Sequence, residues 1–316
     1  MKNKTRGRKD RPSRPPTVRL VLPATSANLG PAFDAAAVAL KLYLKISARL
    51  APEYAITARG RDSVICSEVQ NNLILNTYRE VLESQEKPVR ALALAIQNEI
   101  PIGKGCGSSA AARLAGIALA NHFGSLGWSD SRIVGEASTR EHHPDNAAAC
   151  WLGGVAIARM SSDVEAQVIT IQPKSKWPLL LVLPPEPLST EEARRVLPAG
   201  YSRADTVTNV QNSMMLLAAL VRGERKLLAA ALQDRIHQPY RAPLCPLLPA
   251  LEKMVGGKGL LGVALSGAGP SVLVFLDPKF PTNRIKKLIA EHLEREGLQA
   301  ELLLTQIATR GAKGQA

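Results

Sequence analysis

The chain has 316 residues, of which 46% are hydrophobic and 21% charged. That is enough for about two domains with real cores, and it excludes a disordered composition. No apolar run reaches the ~18–20 residues of a membrane span, and no apolar segment follows Met1-Lys2-Asn3-Lys4 as a secretory signal would, so a cytoplasmic protein is expected. The net charge of +13 is concentrated at the start: residues 1–16 hold seven basic side chains, one acid and three prolines, leaving +7 for the other 300 residues. Residues 1–16 therefore read as a disordered basic tail, and a +7 body suits anionic substrates. Aromatic residues are only 4%, which leaves few stacking platforms, so no specific nucleic-acid partner is expected. Cys66, Cys106, Cys150 and Cys245 are isolated from one another and read as free thiols, not as a zinc cluster or a disulfide framework.

In chain order, residues 18–22 read as a strand running into a polar loop, Pro23-Ala-Thr-Ser-Ala-Asn-Leu-Gly-Pro31. Residues 43–50 alternate as a second strand, and 71–98 read as helical. A helix starts at Ser108-Ser109, with Leu114, Ile117 and Ala118 on one face. Residues 131–141 are weakly helical and 154–159 strand-like; the polar stretch 160–176 reads as a boundary. A strand from Trp177 to Leu183 opens the second half, followed by helices near 206–222 and 224–236. A strand, glycine loop and strand then run over 263–275, and Ile285, Leu288, Ile289 and Leu293 mark a last amphipathic helix. Strands and helices mix without strict alternation, which predicts an α+β fold in two halves.

Gly103, Gly105 and Gly107 precede the helix that opens at Ser108-Ser109. Glycines allow positive φ and close approach of a ligand, so successive N–H groups and the helix N-terminus can face an anion. The order is neither that of a Walker A loop nor of a dinucleotide fingerprint, and no strand visibly leads into it. A tight turn capped by Ser108 is the plainer alternative. Asn28 and Asp34 lie in a hydrogen-bonding loop, while Glu141, His143, Asp145 and Asn146 fall within six positions as either a metal site or a structural cluster. Taken singly, Gly267 reads as part of a hairpin and Arg194 and Arg241 as surface arginines.

Together these segments resemble the GHMP kinases. Three motifs occur in order: Pro23-Ala-Thr-Ser-Ala-Asn-Leu-Gly-Pro-Ala-Phe-Asp34, Pro101-Ile-Gly-Lys-Gly-Cys-Gly-Ser-Ser-Ala-Ala111 and Leu265-Ser-Gly-Ala-Gly-Pro-Ser-Val272. The wording of the first, with His143-Pro-Asp-Asn146, Leu188-Ser-Thr-Glu-Glu-Ala-Arg194 and His237-Gln-Pro-Tyr-Arg-Ala-Pro243, resembles the homoserine kinases within that superfamily. The likeness spans about residues 17–308. Departures from it are Ala32, Ala37 and His142 where glycine is usual, expected to tighten or shift the substrate loop, and Cys106 for leucine, a small apolar change.

The resemblance implies a two-lobed α+β fold: an N-terminal ribosomal S5-like, ATP-binding domain over 17–165, a C-terminal ferredoxin-like domain over 166–308, and a tail over 309–316. It implies ATP-dependent phosphorylation of the L-homoserine hydroxyl, in threonine biosynthesis, with ATP and Mg²⁺ required. The loop Pro101, Ile102, Gly103, Lys104, Gly105, Cys106, Gly107, Ser108, Ser109, Ala110 and Ala111 would hold the nucleotide phosphates. Ser109, with Ser108 as second choice, and Glu141, with Glu136 as second choice, would hold Mg²⁺. Asn28, Asp34, His143, Thr190, Arg194, Arg241 and Gly267 would bind the amino acid: a carboxylate suits a guanidinium, and an ammonium suits a carboxylate or amide oxygen. Asn28, His143 and Asp145 are the candidates for work at the hydroxyl, with Asp145 expected to be electrostatic and not an obligatory base. The alternative is a GHMP kinase acting on an isoprenoid precursor or a sugar, against which Arg194 and Arg241 with Asp34 argue. The oligomeric state is not legible, and a homodimer is compatible.

Overall fold

A computed structural model describes residues 17–174, 177–257 and 259–312. The expected basic tail over 1–16 and residues 313–316 lie outside the described residues.

Strands β1 (Val18–Ala27) and β2 (Ala36–Leu50) pair antiparallel, with a register shift between Pro23 and Ala24. Both run further than their sequence suggests. Ala24–Ala27 and Ala36–Leu40 are small or apolar and fully buried, so residues that read as loop are closely packed strand instead. After β3 (Ala55–Gly60) and a short α1 (Ser63–Ser67), the helix expected over 71–98 divides in two. Helix α2 (Leu73–Ser84) is capped by Asn72, whose side chain accepts from the N–H groups of Ile74 and Leu75. Strand β4 (Leu92–Asn98) then alternates inward and outward, pairing parallel with β3 and antiparallel with β2. It leads directly into the glycine loop and α3 (Ser108–Phe123), so the strand that the sequence hid is present.

Helices α4 (Asp130–Glu141) and α5 (Asp145–Leu152) follow, then β5 (Val155–Met160) and β6 (Ala166–Ile171). The first sheet has the order β3-β4-β2-β5-β6, with β1 beside β2. Strand β6 pairs with β5 along its whole length and so belongs to the first sheet, and the second sheet begins with β7 (Pro178–Leu183).

The second half contains α6 (Thr190–Arg195), α7 (Arg203–Arg222), α8 (Leu228–Ala231), α9 (Gln238–Arg241) and α10 (Leu247–Glu252). Strands β8 (Leu260–Leu265) and β9 (Val272–Leu276), helix α11 (Thr282–Arg295) and β10 (Glu301–Gln306) complete it. Its sheet has the order β10-β7-β9-β8. The helix expected over 224–236 is instead a set of short turns, because the Asp234 carboxylate takes the N–H groups of Ile236, His237 and Gln238 and starts a new turn there.

Strand β7 joins the two cores. Leu179, Leu181 and Leu183 pack into the larger core and Leu180 and Val182 into the smaller, as period-two alternation requires. The chain end returns to the first half: Ala308 N–H donates to Ala39 O, and the Ala308 carbonyl accepts from Gly154 N–H. Of the residues expected as tail, Gly311 and Ala312 are buried, while Thr309 and Arg310 are exposed. Among the described residues no helix is long and apolar enough to cross a membrane.

Candidate active site

A cleft of about 400 Å³ lies between the glycine loop, the end of α4, the start of α5 and segments of the second half. Gly103, Gly105 and Gly107 have φ of 70°, 70° and 69°, values that side-chain-bearing residues rarely adopt. The loop is gripped from both halves. Thr25 N–H donates to Cys106 O at 3.1 Å, and Ser266 Oγ donates to Gly105 O at 2.7 Å. A Cβ on Gly107 would stand 1.9 Å from Thr25 Oγ1, and one on Gly105 would stand 2.1 Å from Ser266 O. No side chain caps α3, so Ser108 is not the cap, and the helix start lines the cleft through Gly107, Ser108 and Ser109, bringing the partial positive charge of a 16-residue helix there.

Ser109 Oγ instead donates to Glu141 Oε1 at 2.6 Å, which also accepts from Arg113 Nε at 2.6 Å. Glu141 is the last residue of α4, where left-handed His142 (φ 66°) turns the chain toward α5. Glu136 is held by Arg132 at 2.5 Å and Arg140 at 2.6 Å and does not line the cleft. Ile102, Cys106 and Ser108 line it; Pro101, Lys104, Ala110 and Ala111 do not. Lys104 turns to the Pro185 carbonyl, and Ala110 and Ala111 are buried in the helix packing. The Cys106 thiol is pushed up to about 12 by burial, which makes it inert.

The other end of the cleft gathers the residues suited to an amino acid. Asn28 (φ 72°), Leu29 (φ 43°) and Asp34 (φ 52°) hold left-handed backbone without being glycine. Asn28 Oδ1 accepts from Asp34 N–H at 2.9 Å, and its Nδ2 donates to Gly267 O at 2.8 Å. Pro31 O accepts from Asn209 Nδ2 and Ser213 Oγ of α7, which steadies the same loop. Arg194 makes a two-pronged ion pair with Asp34, at 2.8 and 3.1 Å. Arg241 is 1% exposed yet touches the cleft; its Nε donates to Ala193 O and its Nη1 to His237 Nδ1. Burial first, and the neighbouring Arg194 second, lower its pKa to about 10. Thr190 lines the cleft beside these residues.

His143 Nδ1 donates to Asp145 Oδ1 at 2.7 Å, and that oxygen also accepts from Asn146 N–H. Asp145 Oδ2 is buried without a partner among the described residues. Burial opposes charge on His143, but the hydrogen bond to Asp145 and the charges of Asp145, Asp34 and Glu141 outweigh it and raise its pKa.

Sequence reasoning missed the wall beyond the glycine loop. Ile65, Cys66, Asn71, Leu73, Ile96 and Asn98 line that end, an apolar slot with amide edges that suits a flat base. It also missed Arg113, whose i, i+4 place after Ser109 on α3 was the available signal.

The GHMP kinases N terminal domain matches residues 72–154, and the GHMP kinases C terminal domain matches residues 216–294. These matches, on this fold and cleft, define a GHMP kinase. A homoserine kinase of Solibacter usitatus is 42% identical over 292 residues, covering 92% of this chain and 95% of its own. One from Synechococcus sp. is 36% identical, covering 94% of this chain and 97% of its own. Within the class, the chain belongs to the homoserine kinase family. The crystal structure of homoserine kinase from Cytophaga hutchinsonii shares the fold with a TM-score of 0.78 at 21% identity, covering 98% of this chain and 99% of its own. L. major mevalonate kinase shares it at 0.70 and 14% identity, covering 95% of this chain and 100% of its own.

Proposed function

We propose that this protein transfers the γ-phosphoryl group of ATP to the side-chain hydroxyl of L-homoserine, giving O-phospho-L-homoserine on the route to threonine. One observation carries the reading. Arg194, Arg241 and Asp34 meet His143 and Asp145 in the cleft that the glycine loop also lines. Two guanidiniums and a carboxylate suit a zwitterion.

Phosphoryl transfer needs charge neutralised on the phosphates and the acceptor oxygen held in line. The 103–109 N–H groups bind the phosphate oxygens, and the Ile65–Leu73 side takes the base. Ser109 Oγ and Glu141, hard oxygen donors 2.6 Å apart, fit a Mg²⁺ ion and would hold it. Mg²⁺ supplies neutralising charge for the phosphate oxygens when bound.

The Arg194–Asp34 pair suits exchange with the substrate. The homoserine carboxylate takes the place of Asp34 on Arg194 and adds Arg241, while the ammonium takes the place of Arg194 on Asp34. Charge stays balanced throughout, so neither partner is left uncompensated. Asn28 and His143 orient the hydroxyl, and its proton passes to a phosphate oxygen.

The test is a coupled ADP-release assay with Mg-ATP and homoserine, mevalonate, galactose or diphosphocytidyl-methylerythritol. Turnover is expected on homoserine alone; turnover on mevalonate or a sugar with none on homoserine would reject the substrate.

A further inference from the structure

We propose that His237 is a positioning residue for homoserine recognition: its imidazole locks the Arg241 guanidinium in register with the loop that carries Asn28 and Asp34. The inference rests on the reading that Arg241 takes the substrate carboxylate.

His237 is fully buried and does not line the cleft, so it does not touch substrate. Its ring makes two hydrogen bonds, one to each half of the protein, and Asp234 Oδ2 stands 3.5 Å from Nε2. Nδ1 lies 3.1 Å from Arg241 Nη1, and Nε2 lies 2.8 Å from Gly30 O. A guanidinium can only donate and a carbonyl can only accept. Nδ1 therefore accepts from Arg241, and Nε2 carries the proton given to Gly30. A single neutral tautomer satisfies both neighbours, and a protonated ring would aim a second donor at Arg241. Burial acts in the same direction, lowering the His237 pKa.

The imidazole is itself fixed. It stacks on Phe33 with centroids 5.1 Å apart and planes 25° apart. The Arg194 and Arg241 guanidiniums lie 5.5 and 5.3 Å from the same Phe33 ring. Asp234 accepts from the backbone N–H of His237, and Gln238 Oε1 accepts from Leu265 N–H on β8. On the other side Gly30 cannot retreat, since a Cβ there would already meet Leu232 O at 2.2 Å. Without Nδ1, Arg241 retains one polar partner among the described residues, Ala193 O, and its guanidinium can swing about that bond.

Steady-state kinetics on R241Q, H237F and H237N test this. R241Q should raise the homoserine KM and leave the ATP KM unmoved; if it does not, Arg241 is no carboxylate ligand and the inference falls with that reading. Given the expected R241Q result, H237F should raise the homoserine KM about ten-fold while the ATP KM moves less than about three-fold. H237N, whose amide oxygen can accept from Arg241, should bring the homoserine KM back to within about three-fold of wild type. 3-Aminopropan-1-ol, which keeps the hydroxyl and ammonium but lacks the carboxylate, should be turned over by H237F as well as by wild type. If H237F does not fold, H237L replaces it, since an aliphatic side chain offers Arg241 no acceptor. An unmoved homoserine KM in H237F or its substitute overturns the proposal. So does an equal loss for ATP, an equal loss on the aminoalcohol, or a failure of H237N to rescue.

Discussion

Ser109 Oγ and Glu141 Oε1 stand 2.6 Å apart although they lie on different helices, one at the start of α3 and the other at the end of α4. The contact sets two oxygen donors beside the N–H groups of the glycine loop. Arg113 donates to the same carboxylate oxygen and holds it in place.

Glu141→Gln should raise the Mg²⁺ concentration for half-maximal activity about ten-fold, because a neutral amide is a weaker ligand for a hard cation. Glu136→Gln should leave it unchanged, since that carboxylate is tied to Arg132 and Arg140 outside the cleft. Mg²⁺ titrations at saturating ATP measure both. A shift in Glu136→Gln with none in Glu141→Gln would reverse the assignment.

His142 stands where glycine is usual in the resembling motif, and its φ is 66°. An L-residue in left-handed backbone carries a cost of roughly 1–2 kcal/mol, which glycine does not, though glycine also gives the unfolded chain more freedom. The net expectation for His142→Gly is a gain of up to about 1 kcal/mol, or about 2 °C in Tm. Urea and thermal melts read it directly; a destabilised variant would mean that the imidazole makes compensating contacts.

Much of this fold is written in local pattern. The α3 start at Ser108, the α4 span, the β8–loop–β9 unit and the buried Ile285, Ile289 and Leu293 of α11 all follow from spacing and glycine placement. Strand β4 did not, because Leu92-Ala-Leu-Ala-Ile is as good a helix former as a strand, and only its pairing with β2 and β3 decides. The turns after Arg225 were hidden because one carboxylate, Asp234, restarts the backbone there. At the site, Gly103–Ser109 declares itself through residue type. The Ile65–Leu73 wall does not, since its residues become a surface only when α1, α2 and β4 meet. His237 was quoted as part of a motif, but nothing in that string says that its ring reaches Gly30, 207 residues away.

The buried His237 also gives stability a defined slope with pH. Burial, with a smaller contribution from Arg241, lowers its pKa from 6.5 to about 4, against the opposing charges of Asp234 and Asp34 and the Gly30 hydrogen bond. As pH falls below 6.5 the unfolded chain takes up a proton that the fold refuses, so stability drops until about pH 4, where the folded state takes it too. His237→Asn should remove this contribution and flatten the acid limb relative to wild type. Urea melts at several pH values between about 7 and about 4 test the sign; parallel curves for the two proteins would show that His237 does not titrate this way.

The role of Asp145 turns on its two oxygens. Oδ1 accepts from His143 Nδ1 and from Asn146 N–H, while Oδ2 is buried and unpartnered among the described residues. A free carboxylate oxygen beside the cleft invites assignment as a general base. An aliphatic alcohol, however, is far too weak an acid for a carboxylate to deprotonate beforehand, and in a loose transition state the proton leaves late. On the proposed reading Asp145 holds the His143 ring through Oδ1 and is not an obligatory base. Asp145→Asn should then retain measurable activity, with kcat down by less than about 10³-fold and the homoserine KM raised as His143 loosens. Single-turnover rates across a Mg²⁺ series would separate this from the alternative. A folded Asp145→Asn enzyme whose chemical step is slowed beyond about 10³-fold, with unaltered Mg²⁺ dependence, would make Asp145 the base.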